Sequence, residues 1–170
     1  SLLLVRSMGA DPNLYMALLG AAWLESRKFD ALLAEDDLAP LSPTRKAEWL
    51  VLRGKAFIAK GELATARQEF EKASRIIPTS ASPYVAMSAV SLMERQLDAA
   101  QSEIDRALEL EPENNQALKQ QADLYRFRGE MEKALSYYDK ALEIAPTYWN
   151  VRQSRAVILI ELRRETEALE

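Results

Sequence analysis

The chain has no cysteine and no histidine. Without cysteine there is no disulfide frame, no thiolate nucleophile and no zinc–thiolate site, and the redox compartment is left open. Without histidine the commonest general base and the commonest metal ligand are both missing. Glycine is scarce, 5 of 170 residues, and the alternating, turn-rich segments of a β protein are lacking. Alanine, leucine, glutamate, lysine, arginine and glutamine dominate instead, all good helix formers, so the expected fold is nearly all helix. Long apolar runs are absent as well. LYMALLGAAWL, 14 to 24, is about half of the ~20 residues a membrane span requires, and the opening SLLLVRSMGA is too short for the apolar core of a signal peptide. Nor is there an excess of positive charge: 22 Lys+Arg against 26 Asp+Glu give a net charge of −4, which argues against a dedicated binder of phosphate backbones. The 48% hydrophobic and 28% charged composition is that of an ordinary chain able to bury a core without staples.

What the sequence does have is a period. Ala73, Ala107 and Ala141 lie 34 apart, since 107 − 73 = 141 − 107 = 34, and Pro78, Pro112 and Pro146 keep the same interval, as do Ala66, Ala100, Ala134 and Ala168. Other columns repeat in size rather than identity. Gly54, Ser88, Ala122 and Ala156 are small, whereas Phe70, Ile104 and Tyr138 are bulky. Three full units follow, 47–80, 81–114 and 115–148, and a truncated one occupies 149–170. Upstream, Gly20, Trp23 and Phe29 precede Gly54, Phe57 and Leu63 by the same 34 residues, which makes 13–46 a divergent unit. Its second half departs, with Asp36 in the place of Phe70, Thr44 in that of Pro78, and Pro40 and Pro43 interrupting early, so a shortened second helix is expected there.

Within a unit, apolar residues recur at three- and four-residue spacing on both sides of a central breaker, the pattern of two amphipathic helices joined by a tight turn. Gly61 and Gly129 fill the breaker column and suit the left-handed conformation that ends a helix. Arg95 and Arg163 stand in the same column, where they must accept a mildly unfavourable backbone or use a different turn. Ala134 and Ala141 lie two turns apart on one helix face, where a methyl lets a neighbouring helix approach closely. Tyr138 shares that side and is expected to fill the space between helices with its hydroxyl at the edge, while Tyr137 points elsewhere, half exposed. Pro146 closes the unit.

LRGKAFIAKGELATARQEFEKASRIIP, 52 to 78, and ADLYRFRGEMEKALSYYDKALEIAP, 122 to 146, carry small, aromatic, glycine, alanine, aromatic, alanine and proline in order. In this the chain resembles the tetratricopeptide-repeat family over about residues 13 to 170. The resemblance implies an all-α solenoid of stacked antiparallel helix pairs, with 1–12 the end of a preceding helix. It also implies a concave wall built from the first helix of each unit. By the family's geometry that wall is made of Val51, Lys55 and Ile58, then Val85, Ala89, Leu92 and Met93, then Lys119, Asp123, Arg126 and Phe127, then Gln153, Val157 and Ile160. Part of this apolar surface is equally what packing across a narrow groove requires. The residues with which some family members clamp a C-terminal carboxylate are replaced here by Val51, Lys55, Ala86, Gln116 and Gln120, so chaperone-tail binding is disfavoured. Within the family the texture resembles long bacterial arrays, including lipoproteins associated with PEP-CTERM protein sorting and exopolysaccharide export. That setting would be periplasmic; otherwise the compartment, cytoplasmic or periplasmic, stays open.

The catalytic templates fail on residues. LRGKAF has Gly54 and Lys55 but lacks the first glycine and the hydroxyl residue of a phosphate-cradling loop. Asp36 and Asp37 lack calcium-loop spacing and read as a solvated loop. RFRG, with Arg126 and Arg128 around Phe127, has the makings of a nucleic-acid patch, but it sits at the end of a first helix on the inner wall. No catalytic residue, metal or cofactor is expected. The leading expectation is a non-enzymatic scaffold, part of a longer bacterial repeat protein, that holds a protein or peptide in its groove, without nucleic acid and without a membrane span. The alternatives are an accessory or regulatory domain of an enzyme whose catalytic part lies outside these residues, and RNA binding by a helical-repeat relative. VRQSRAVILIEL, 151 to 162, lacks a capping partner, so self-association through Val157, Ile158, Leu159 and Leu162 is expected.

Overall fold

The structure, a computed structural model, describes residue 9 and residues 11–35 and 38–164. The end of a preceding helix assigned to 1–12, the aspartates at 36 and 37, and the last six residues of the truncated repeat therefore lie wholly or mostly outside the described residues. Among those described, every regular element is a helix. Two compact units make up the chain, Ser1–Ala86 and Met87–Glu170, and each is taken by itself.

The first unit contains α1 (Pro12–Glu25), α2 (Phe29–Leu33), α3 (Pro43–Ala59) and α4 (Leu63–Ile76). Asp11 caps α1 by accepting from the Asn13 backbone N–H at 2.9 Å, and Ser42 caps α3 by accepting from that of Arg45 at 3.4 Å. In both a proline follows the cap, where its missing N–H costs nothing. As expected, the second helix of the divergent unit is short, five residues against the 14 of α4. The small columns do their packing here by glycine. A Cβ on Gly20 would lie 2.5 Å from the Trp49 ring, and one on Gly54 would lie 2.1 Å from Phe70 Cε1, so the bare backbone is what lets these rings lie down. Trp23 meets Trp49 edge to face, centroids 6.4 Å apart.

The second unit begins within α5 (Ser82–Met93) and continues through α6 (Leu97–Leu110), α7 (Asn115–Phe127), α8 (Met131–Ile144) and α9 (Trp149–Glu161). The starts of α4, α6 and α8 keep the sequence period, 63, 97 and 131, and so do their ends, 76, 110 and 144. Ala122, Ala134, Ala141 and Tyr138 are fully buried in one core with Leu118, Leu135, Val151, Ile158 and Leu159. Leu92 packs with Ala100, Ile104 and Leu124 in another. Tyr137 is half-buried and stacks at 5.4 Å against Tyr125.

One turn recurs throughout. The residue before the second helix bonds back to the first helix in each described pair: Lys28 N–H to Trp23 C=O at 2.8 Å, Glu62 to Phe57 at 2.9 Å, Gln96 to Ser91 at 2.8 Å and Glu130 to Tyr125 at 2.9 Å; after α9, Arg164 makes the same bond to Leu159 at 2.8 Å. The residue just before it always has positive φ, +81° at Gly61 and +77° at Gly129, but also +57° at Arg27 and Arg95 and +61° at Arg163. Arginine accepts the strained backbone rather than using a different turn. Arg27 occupies the same column, 34 residues before Gly61, and its place there was not foreseen.

Candidate functional site

Lys119, Asp123, Arg126 and Phe127 stand at i, i+4, i+7 and i+8 on α7, one face of the helix. With Ala89, Leu92 and Met93 at the end of α5 they ring a cleft of about 430 Å³, wholly within the second unit. Gln116 and Gln120 of α7 and Tyr148 and Asn150 at the start of α9 complete its lining. Seven of the residues expected along the wall are thus brought together.

The polar side of the cleft is tied to the core. The Tyr138 hydroxyl, carried on buried α8, donates to Asp123 Oδ1 at 2.5 Å, and Lys119 Nζ sits 2.6 Å from Asp123 Oδ2. Burial, reinforced by the Asp123 charge and that hydrogen bond, pushes the Tyr138 phenol well above its ordinary pKa. Asp123 is therefore engaged at both oxygens, and the charge of Lys119 is largely compensated. Gln120 accepts from buried Ser88, which fixes its amide against α5. The apolar side stays open: Met93 is 59% and Phe127 39% exposed. Two guanidiniums attend the Phe127 ring, Arg126 at 5.1 Å and Arg95 at 5.7 Å from its centroid. RFRG is thereby divided, because Arg128 turns to Gln101, 3.0 Å away, and to Asp98, while Arg126 lines the cleft.

The other expected wall residues fall elsewhere. Val51 and Val85 are only 6% and 3% exposed, so they are core rather than wall. An apolar side chain on a first helix suits either place, and burial prevails where neighbouring helices close over it. Lys55 and Ile58 are on α3 in the first unit, exposed and half-buried respectively. Gln153, Val157 and Ile160 are exposed on α9 but do not line the cleft. Leu92 lines it from a position only 7% exposed and also belongs to the core. The apolar edge expected on α9 needs a larger correction. Ile158 and Leu159 are turned inward against α8 and are at most 1% exposed, leaving Val157 and Ile160 outside. Leu162 is partly buried against the same core.

Among the described residues no group of three acidic residues is placed to hold a metal, and no described helix is long and apolar enough to cross a membrane.

Helix pairs, a shared turn and a cleft between successive first helices define an all-α helical-repeat protein. Residues 94–148 match the tetratricopeptide repeat family. A thermophilic TPR protein of Thermus thermophilus has a similar fold, with a TM-score of 0.77 and 24% identity over 92% of this chain and 85% of that one. The crystal structure of MamA is similar at a TM-score of 0.65, with 25% identity over 88% of each chain. The first TPR of Spaghetti (RPAP3), bound to the HSP90 peptide SRMEEVD, gives a TM-score of 0.65 with 18% identity, covering 71% of this chain and 98% of that one. No curated protein matches the sequence. The resemblance to PEP-CTERM-associated lipoproteins gains no support from these matches.

Proposed function

We propose that the chain is a non-enzymatic protein-interaction scaffold which holds a peptide or protein segment in the cleft between α5, α7 and the start of α9. The observation that carries this reading is the exposed pair Met93 and Phe127 beside Arg126, apolar surface kept open on the wall of a built cleft. A flexible thioether and a ring edge fit an imperfectly matched apolar side chain, and a guanidinium beside them adds direction. That a chain of similar fold is bound to a peptide supports the class of occupant. It does not support the same peptide, because Val51, Ala86 and Gln120 are buried at places where a terminal-carboxylate clamp needs outward donors.

The test is partner capture by the immobilised chain with Met93→Asp and Phe127→Ala combined. Leu92 is unsuitable for a charge because it belongs to the core. The double variant is expected to lose capture with its helicity by circular dichroism unchanged, and full capture would place the partner on another surface.

A further inference from the structure

The cleft contains an unanswered donor. Arg126 Nε is buried without a hydrogen-bond partner, and neither Arg126 nor Arg95 forms an ion pair with a described residue. Buried N–H groups are almost always paired, since stripping one of water without supplying an acceptor is costly. The neighbouring charges do not answer it. Asp123, the one carboxylate among the cleft residues, spends its oxygens on Lys119 and Tyr138. What remains beside the exposed Met93 and Phe127 is a local positive charge in a chain whose total is −4.

We propose, building on the scaffold reading above, that the partner segment carries an aspartate or glutamate next to a large apolar residue, and that Arg126 receives the carboxylate while Met93 and Phe127 receive the apolar side chain. A guanidinium presents parallel N–H donors that match the two oxygens of a carboxylate. The Phe127 ring holds the guanidinium in position, which lowers the cost of ordering it when the ligand arrives. The acid is an internal side chain rather than a chain terminus. A terminus calls for several donors at once, and here Lys119 is compensated by Asp123, which leaves the guanidiniums of Arg126 and Arg95 beside apolar surface along which a segment can run on.

The experiment selects short peptides from a random displayed library flanked by constant residues, so that no free terminus is offered, using the whole chain as bait. Selected peptides are then synthesised with blocked ends and titrated by fluorescence anisotropy. The expected result is an Asp or Glu within one helical turn of a Leu, Ile, Met, Phe or Trp. Arg126→Gln should weaken binding by roughly ten- to a hundredfold, with the corresponding Asn or Gln peptide losing about as much and the two changes together losing little more. Arg126→Lys should recover part of the loss. Peptides that are lost by Met93→Asp with Phe127→Ala but bind Arg126→Gln normally overturn the acidic-side-chain proposal and leave the scaffold reading standing. Failure to select any peptide, or binding indifferent to all these substitutions, overturns both.

Discussion

The two units solve one packing problem in different ways. Both must seat a large side chain of a second helix against the small column of a first. In the first unit Phe70 lies on Gly54, a residue with no side chain. In the second unit the same columns hold Ala122 and Tyr138, both fully buried in one core. The period thus conserves a volume shared between two residues rather than either residue. A glycine inside a helix costs about 1 kcal/mol relative to alanine, so the first unit gives up local helix stability for close contact with its rings. The second uses a methyl and a phenol, and the phenol adds a polar tie to the cleft through Asp123.

The largest expected effect tests whether that volume is shared. Gly54→Ala would place a Cβ within 2.1 to 2.7 Å of three Phe70 ring atoms. It should destabilise by about 1–3 kcal/mol in urea unfolding, in spite of the better helix propensity of alanine. Phe70→Leu in the same molecule should recover part of that loss, whereas simple additivity would show that the two positions do not share one space.

A smaller effect separates the phenol from the phenyl ring. Tyr138→Phe should cost about 1 kcal/mol at neutral pH through the lost hydrogen bond to Asp123. The folded phenol is held above its ordinary pKa, by burial first and the Asp123 charge second. Its contribution is therefore complete below the unfolded value of about 10 and is lost as pH rises beyond it, where the unfolded chain ionises and the folded chain resists. Stability measured against pH should decline less steeply above that point in Tyr138→Phe than in the unaltered chain. Equal slopes would show that the phenol is not responsible.

The smallest effects lie in the turns. A Cβ on Gly129 meets nothing within 4 Å, so Gly129→Ala should cost about 1 kcal/mol through backbone conformation alone. Arg95→Gly should gain less than about 1 kcal/mol, since relief of its positive φ is offset by loss of the contact with Phe127. Thermal unfolding midpoints moving in the same direction for both would contradict a common left-handed requirement.

The helices, their breaks and the buried alanines were legible because they follow from a repeating period and from side-chain size, both of which the sequence carries directly. The short helix at 29–33 was legible from the prolines and the lost bulky position after it. Arg27 was equally within reach, since it stands in the 34-residue column of Gly61, but an arginine gives no local sign of positive φ. The cleft was legible along α7, where four residues share a face, and on the last turn of α5. Val51, Val85, Ile158 and Leu159 were misplaced because apolar patterning marks a side chain as unsuited to water without saying whether a groove or a neighbouring helix will take it. The contacts of Tyr138 with Asp123 and of Ser88 with Gln120 join residues 15 and 32 apart on different helices, and no spacing rule within one helix reveals them.

The recurring turn has one more effect on how such a chain can vary. Because flanking packing, not glycine, imposes the left-handed kink, that position behaves as an open socket: a hydrogen atom fills it at 61 and 129, while at 27 and 95 it bears a long cation that reaches an aromatic ring, Phe29 in one case and Phe127 in the other. Surface chemistry at these turns can therefore be rewritten, unit by unit, at the cost of a modest torsional penalty and without disturbing a single interior residue.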